Sequence, residues 1–337
     1  MGSGDFLHGD VDLFLREYYV AAGAVCCLFT NCEDVLLAAR STFLPLSAKP
    51  ENVAFELRLW VDDSEAQQSP WPKPYVRGLD DLVFIGLDAK SSMLVDLHTK
   101  SIIGRFSSAM AKDSAYWKSV IFPVLMSVLA GSLGLVELHA SCLAIDGCSL
   151  LLTGPGRSGK SSLALALTEV GFSFVSDDRI FCSLKGNRLC AYGLPRPLKL
   201  RQDAPMWFEH FLGQQPNAVQ NGENVFHCEP NRVFSRQPSP FSQPRMLLVL
   251  DRQRNSGFRL TRMEPIHARS RIEADLLPED PTVIQAQQPV LEAVMDLPSW
   301  RVQYSEAPHI VSEQLVNAFA SHFNLRNSLL QCQSATT

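Results

Sequence analysis

Residues Gly154 to Ser161 read GPGRSGKS and satisfy G-x-x-x-x-G-K-[ST] in full. They lie between an apolar run, Ser149 to Thr153, and a helix-forming run from Ser161 to Val170. A chain with this order must place a strand, a glycine turn and a helix in series, which is an α/β arrangement. The chemistry follows from the residue types. Glycines let backbone N–H groups turn inward onto phosphate oxygens, Lys160 can reach the β and γ phosphates, and Ser161 can hold Mg²⁺ beside the helix N-terminus. A lysine in the first helical turn opposes the helix dipole, and a bound phosphate removes that conflict. The expected ligands are ATP and Mg²⁺. The expected contact set is Gly154, Pro155, Gly156, Arg157, Ser158, Gly159, Lys160, Ser161 and Ser162.

An acidic pair, Asp177-Asp178, stands sixteen residues beyond Ser161, after Gly171 and the short apolar run Phe172 to Val175. If the runs before the loop and before the pair are parallel neighbours joined by a right-handed crossover, both end on one edge of the sheet and the acids face the phosphates. One carboxylate can then hold Mg²⁺ while the other accepts the proton of an attacking hydroxyl. Two carboxylates this close should also split their pKa values.

The stretch LHASCLAIDGCSLLLTGPGRSGKSSLALALTEVGFSFVSDD, Leu138 to Asp178, resembles the catalytic core of HPr kinase/phosphorylase and of the wider HPr-kinase-like serine kinases. In that family a His precedes a β-hairpin leading into the loop, and an Asp-Asp pair follows the first helix. His139 and Asp177-Asp178 occupy those places. The resemblance is diffuse through Tyr192 to Arg201 and the C-terminal part, and Ser162 stands where bacterial HPr kinases carry an acidic residue. It implies a P-loop kinase core of HPr kinase type; the N-terminal part, outside the resemblance, reads from its own residues as a β-rich α+β extension. The resemblance also implies catalysis by His139, Lys160, Asp177 and Asp178, a metal site at Ser161 and Asp178, and a homo-oligomer. The acceptor it implies is a hydroxyl, that of serine in a peptide, a protein or a small molecule.

Composition narrows the setting. With 46% hydrophobic and 19% charged residues the 337-residue chain suits a globular protein, and a net charge of −5 gives no bulk attraction to nucleic acid or anionic membrane. Nine cysteines without a C-x-x-C pair or zinc spacing fit a reducing compartment. The acidic opening MGSGDFLHGDVDLF lacks the positive charge of a secretory signal, so a cytoplasmic location is expected. The uncharged run Val120 to Val136 approaches membrane-spanning length, but Pro123, Gly131 and Gly134 interrupt it, and a buried helix is preferred.

Along the chain, residues 1–113 read as a β-rich accessory region and 114–337 as the catalytic domain. The first opens with an expected helix from Asp10 to Ala22, followed by β-like runs at Val53 to Val61, Leu82 to Leu87 and Met93 to Leu97, with a proline-bearing loop from Asp62 to Pro74. In the second, Gly213 to Pro244 reads as a long exposed loop and Ser312 to Phe323 as a late helix. Arg245 to Asp251 is an apolar strand ending in an acid, a competitor for the metal role. Arg196, Lys199 and Arg201 form a basic strip able to neutralise phosphoryl charge, although a solvated strand edge is the preferred reading, and Arg157 is expected to face solvent. Neither a G-x-G-x-x-G fingerprint nor a His-Arg-Asp loop occurs. A nucleotide-dependent switch that phosphorylates no acceptor is the alternative to a kinase.

Overall fold

The computed structural model of the chain describes residues 3–4, 10–62, 69–194, 197–220, 223–228, 236, 238–276 and 281–319. It divides into two compact units, Met1–Gly134 and Leu135–Thr337. Residues 114–134 therefore belong with the first unit, beyond the boundary expected at 113.

The first unit is built on a mixed eight-stranded sheet. Its strands are β1 (Leu15–Ala21), β2 (Ala24–Thr30), β3 (Leu44–Pro45), β4 (Phe55–Asp62), β5 (Tyr75–Leu79), β6 (Leu82–Gly86), β7 (Ser92–Asp96) and β8 (Ser101–Ser107), with α1 (Glu33–Thr42) between β2 and β3. The spatial order is β3-β1-β2-β4-β8-β7-β6-β5. The helix expected from Asp10 to Ala22 is a strand instead. Ala22 and Gly23 both adopt positive φ, 47° and 82°, so a two-residue turn with the handedness of strand twist folds β1 onto β2. The β-branched and aromatic residues Tyr18, Tyr19 and Val20 then pair with Cys27, Cys26 and Val25. The uncharged run from Val120 becomes the end of a π-helical turn, Trp117–Ile121, and α2 (Phe122–Leu129), whose Phe122, Leu125, Met126 and Leu129 are buried. No helix among the described residues is long and apolar enough to cross a membrane.

The second unit is α/β. Its strands are β9 (Val136–Leu138), β10 (Ser141–Ile145), β11 (Cys148–Thr153), β12 (Ser173–Ser176), β13 (Ile180–Lys185), β14 (Arg188–Tyr192), β15 (Leu198–Arg201), β16 (Ala218–Gln220), β17 (Glu223–Cys228), β18 (Phe241–Arg252), β19 (Arg259–Arg262) and β20 (Ser299–Tyr304). Its helices are α3 (Lys160–Glu169), α4 (Pro265–Glu273), α5 (Pro281–Met295) and α6 (Pro308–Phe319). A nine-stranded sheet runs β9-β13-β14-β18-β11-β10-β12, and β20 joins β18 in parallel and carries β19 beyond it. Alternation along the strands splits the core in two. Leu150 and Leu152 of β11 pack with Leu163, Leu167 of α3 and Leu315 of α6, whereas Leu151 packs with Ile272 of α4 and Val290 and Val294 of α5. The sheet is thus covered by helices on both faces, the condition for burying parallel strands.

Two further expectations change. Part of Gly213 to Pro244 is not loop, because β17 pairs with β15 on one side and β16 on the other in a three-stranded sheet. Pro244 lies inside β18, where a register shift opposite Ser149 and Leu150 accommodates a residue without an N–H. The late helix begins earlier than expected, at Pro308, and residues 320–323 of the expected span lie outside the described residues.

Candidate active site

The strands before the glycine loop and before the acidic pair are parallel, as expected, but they are not neighbours. Strand β10 lies between them, antiparallel to both, with Ser141 opposite Leu152 of β11 and Cys142 opposite Ser176 of β12. The start of β10 therefore sits at the edge where β11 and β12 end. One sheet edge gathers His139, Ser141, the loop that follows Thr153, and Asp177-Asp178.

The loop turns from β11 into α3 through Gly154 and Gly159. Gly159 has φ of 89°, a left-handed conformation that glycine adopts without penalty, and a Cβ there would overlap the Tyr304 hydroxyl. That hydroxyl donates to the Ser158 carbonyl at 2.6 Å, bracing the loop from β20. A Cβ on Gly154 would lie 2.7 Å from the Leu250 carbonyl, whereas one on Gly156 would meet nothing within 4 Å. Lys160 is buried, and its ammonium donates to the carbonyls of Gly154 at 2.9 Å and Pro155 at 3.4 Å. Burial draws its pKa down, opposed by the nearby charges of Asp177, Asp275 and Asp178. Ser158 Oγ is buried with no hydrogen-bond partner.

The two acids occupy different environments. Asp177 is only 6% exposed and accepts hydrogen bonds from Ser141 at 2.5 Å and Ser161 at 2.8 Å. Burial raises its pKa and the nearby charge of Asp178 adds to the rise, while the two serine hydroxyls oppose it. Asp178 is half exposed, holds φ of 71°, and faces His139 with Oδ1 3.1 Å from Nε2. A non-glycine residue in that region is strained unless its surroundings require it. On its other side, His139 Nδ1 lies 3.8 Å from Asp275 Oδ2. A small cleft beside the histidine is lined by Leu138, Ala140, Thr153, Ile272, Asp275 and Leu276.

The carboxylate in contact with Ser161 is not the one paired with it in the expected metal site. Ser161 meets Asp177 and not Asp178, whose partner is His139. Asp251 lies elsewhere on the edge, held by Arg301 through Nε at 2.9 Å and by Gln253 at 2.8 Å. Of the basic strip, Arg201 pairs with Glu223 at 3.4 Å, and Arg196 lies outside the described residues. Arg157 is exposed and also reaches Glu223, at 2.9 Å, tying the loop tip to β17. Arg179 pairs with Glu137 at 3.0 Å.

The structure adds Ser141, Arg271, Asp275 and Tyr304 to the site. Ser141 gave no signal of its own in the chain, because His139 lies in the bend between β9 and β10 and strand alternation does not link the two. Arg271 and Asp275 carry the i,i+4 spacing of a helical ion pair, yet nothing local connects them to a loop more than a hundred residues upstream.

The raised pKa of Asp177 has a measurable result. At neutral pH its ionised form costs folding free energy, and the cost disappears as pH falls through the raised value and the carboxyl is protonated. Asp177→Asn should therefore raise the thermal midpoint near neutral pH, with the gain shrinking in acid. A midpoint lowered at both pH values would show that the charged form is the better-satisfied one.

No family model matches the chain, and no curated protein matches it. Among solved structures, the HPr(Ser) kinase/phosphatase from Coxiella burnetii is similar at 16% identity and a TM-score of 0.30, over 57% of this chain and 96% of that one.

Proposed function

We propose that the chain is an ATP-dependent kinase that transfers the γ-phosphoryl group to a hydroxyl, that of serine in a peptide, a protein or a small molecule. The observation that carries this reading is the gathering of Lys160, the Ser161–Asp177 pair and the His139–Asp178 pair at one edge of the sheet.

Each group has a task suited to its surroundings. The loop N–H groups and Lys160 receive the β and γ phosphates, the ammonium leaving the carbonyls of Gly154 and Pro155 to do so. Ser161 Oγ and the Asp177 carboxylate are hard oxygen donors in contact, and they fit Mg²⁺. When bound, that ion neutralises charge on the β and γ oxygens. Asp178, more exposed than Asp177, accepts the proton of the acceptor hydroxyl as its oxygen bonds to phosphorus and the bond to ADP breaks. His139 holds that carboxylate in position.

The test is transfer from γ-labelled ATP with Mg²⁺ to free serine, serine-containing peptides and an HPr-type protein, with Lys160→Ala as the blank. Label on one acceptor class, lost in the variant, is expected. Nucleotide binding with no acceptor labelled across the panel would favour the switch.

A further inference from the structure

We propose that Arg271 is a second cation for the terminal phosphate, parked on Asp275 and directed at the mouth of the glycine loop. The proposal rests on the nucleotide reading above and adds to it a residue from outside the loop and the acidic pair.

Four observations converge. Arg271 stands in the last turn of α4, and its side chain is 22% exposed. Its Nη2 is 3.4 Å from the Gly154 carbonyl, the same oxygen that accepts from Lys160 at 2.9 Å. Two cations thus meet at one backbone oxygen. Its Nε is buried and has no hydrogen-bond partner, and Ser158 Oγ within the loop is likewise buried and unpartnered. A buried polar atom without a partner is uncommon, and two occur here, one on the arginine that reaches Gly154 and one within the loop. Finally, the guanidinium already pairs with a carboxylate, Nη2 donating to Oδ2 of Asp275, so the group sits where an anionic oxygen is accepted.

The chemistry that recognises this arrangement is a tetrahedral oxyanion carrying more charge than one carboxylate. The γ-phosphate of a nucleoside triphosphate meets it. Lys160 reaches that group from the loop side and Arg271 from the α4 side, so Arg271 separates a triphosphate from a diphosphate. Asp275 is then a positioning residue. It holds the arginine while the site is empty and lies 3.8 Å from His139 Nδ1, which places the arginine's release beside the histidine that orients Asp178.

Calorimetric titration of the full chain with ATP, ADP and inorganic phosphate, each with Mg²⁺, tests the assignment in the parent protein and in Arg271→Ala, Arg271→Lys and Asp275→Asn. Arg271→Ala should weaken ATP about tenfold or more while changing ADP less than about threefold. Arg271→Lys, which keeps the charge and loses the planar fork, should fall between. Asp275→Asn should leave ATP affinity equal or tighter. Should Arg271→Ala not fold, the lysine variant carries the same comparison. Equal losses for ATP and ADP, or no loss for either, would overturn the assignment while leaving the nucleotide site standing. A parent protein that binds neither nucleotide would overturn both, and phosphate binding alone would reassign the site to a phosphorylated product.

Discussion

Asp178→Asn should lower phosphoryl transfer by about 10²- to 10⁴-fold, the range for loss of a positioned proton acceptor, while ATP affinity changes little. The asymmetry follows from geometry. Asp178 pairs with His139 and its side chain is half exposed, whereas the carboxylate that Ser161 meets is that of Asp177. Its neutral replacement can still hydrogen-bond the imidazole but cannot take a proton. Asp177→Asn differs in kind, because Asp177 touches Ser161 directly. It should weaken Mg²⁺-dependent ATP binding as well as turnover. Single-turnover rates beside ATP titrations separate the two variants. Equal loss of ATP binding in both would mean that the acids act together as one metal site, and the division of roles drawn above would be wrong.

Gly159→Ala should remove nucleotide binding and destabilise the second unit together. A side chain at φ of 89° costs about 1–2 kcal/mol, and the added carbon overlaps the Tyr304 hydroxyl that braces the loop through Ser158. The loop must shift or the tyrosine must leave, and either moves the N–H groups that would face phosphate. Gly156→Ala is the control, since its Cβ would meet nothing within 4 Å and should change stability by no more than about 0.5 kcal/mol. Thermal unfolding and ATP titration of both variants measure the difference. A Gly159→Ala protein that melts and binds like its parent would show that the loop's conformation is not the functional one.

The site was readable in the chain where chemistry is local. GPGRSGKS, the strand before it and Asp177-Asp178 after it are short-range patterns, and the structure brings them to one edge. What escaped was tertiary. Nothing in the run from Leu138 shows that β10 lies between β11 and β12, yet that placement puts Ser141 on Asp177 and decides which acid Ser161 meets. Arg271 and Asp275 reach the loop only because α4 packs on the face opposite α3. In the first unit, the turn at Ala22-Gly23 hid a hairpin, because alanine gives no warning of positive φ and Asp10 to Ala22 is compatible with a helix. Pro244 argued for a loop in the chain and instead sits at a strand irregularity.

The most direct test of phosphoryl transfer is the ratio of ADP formed to free phosphate released, measured from γ-labelled ATP and Mg²⁺ with each acceptor class present. The account predicts ADP rising well ahead of phosphate with one class, the missing label recovered on that acceptor, and the excess vanishing in Asp178→Asn. One phosphate released for every ADP, whichever hydroxyl is offered and whether or not Asp178 is intact, would contradict it.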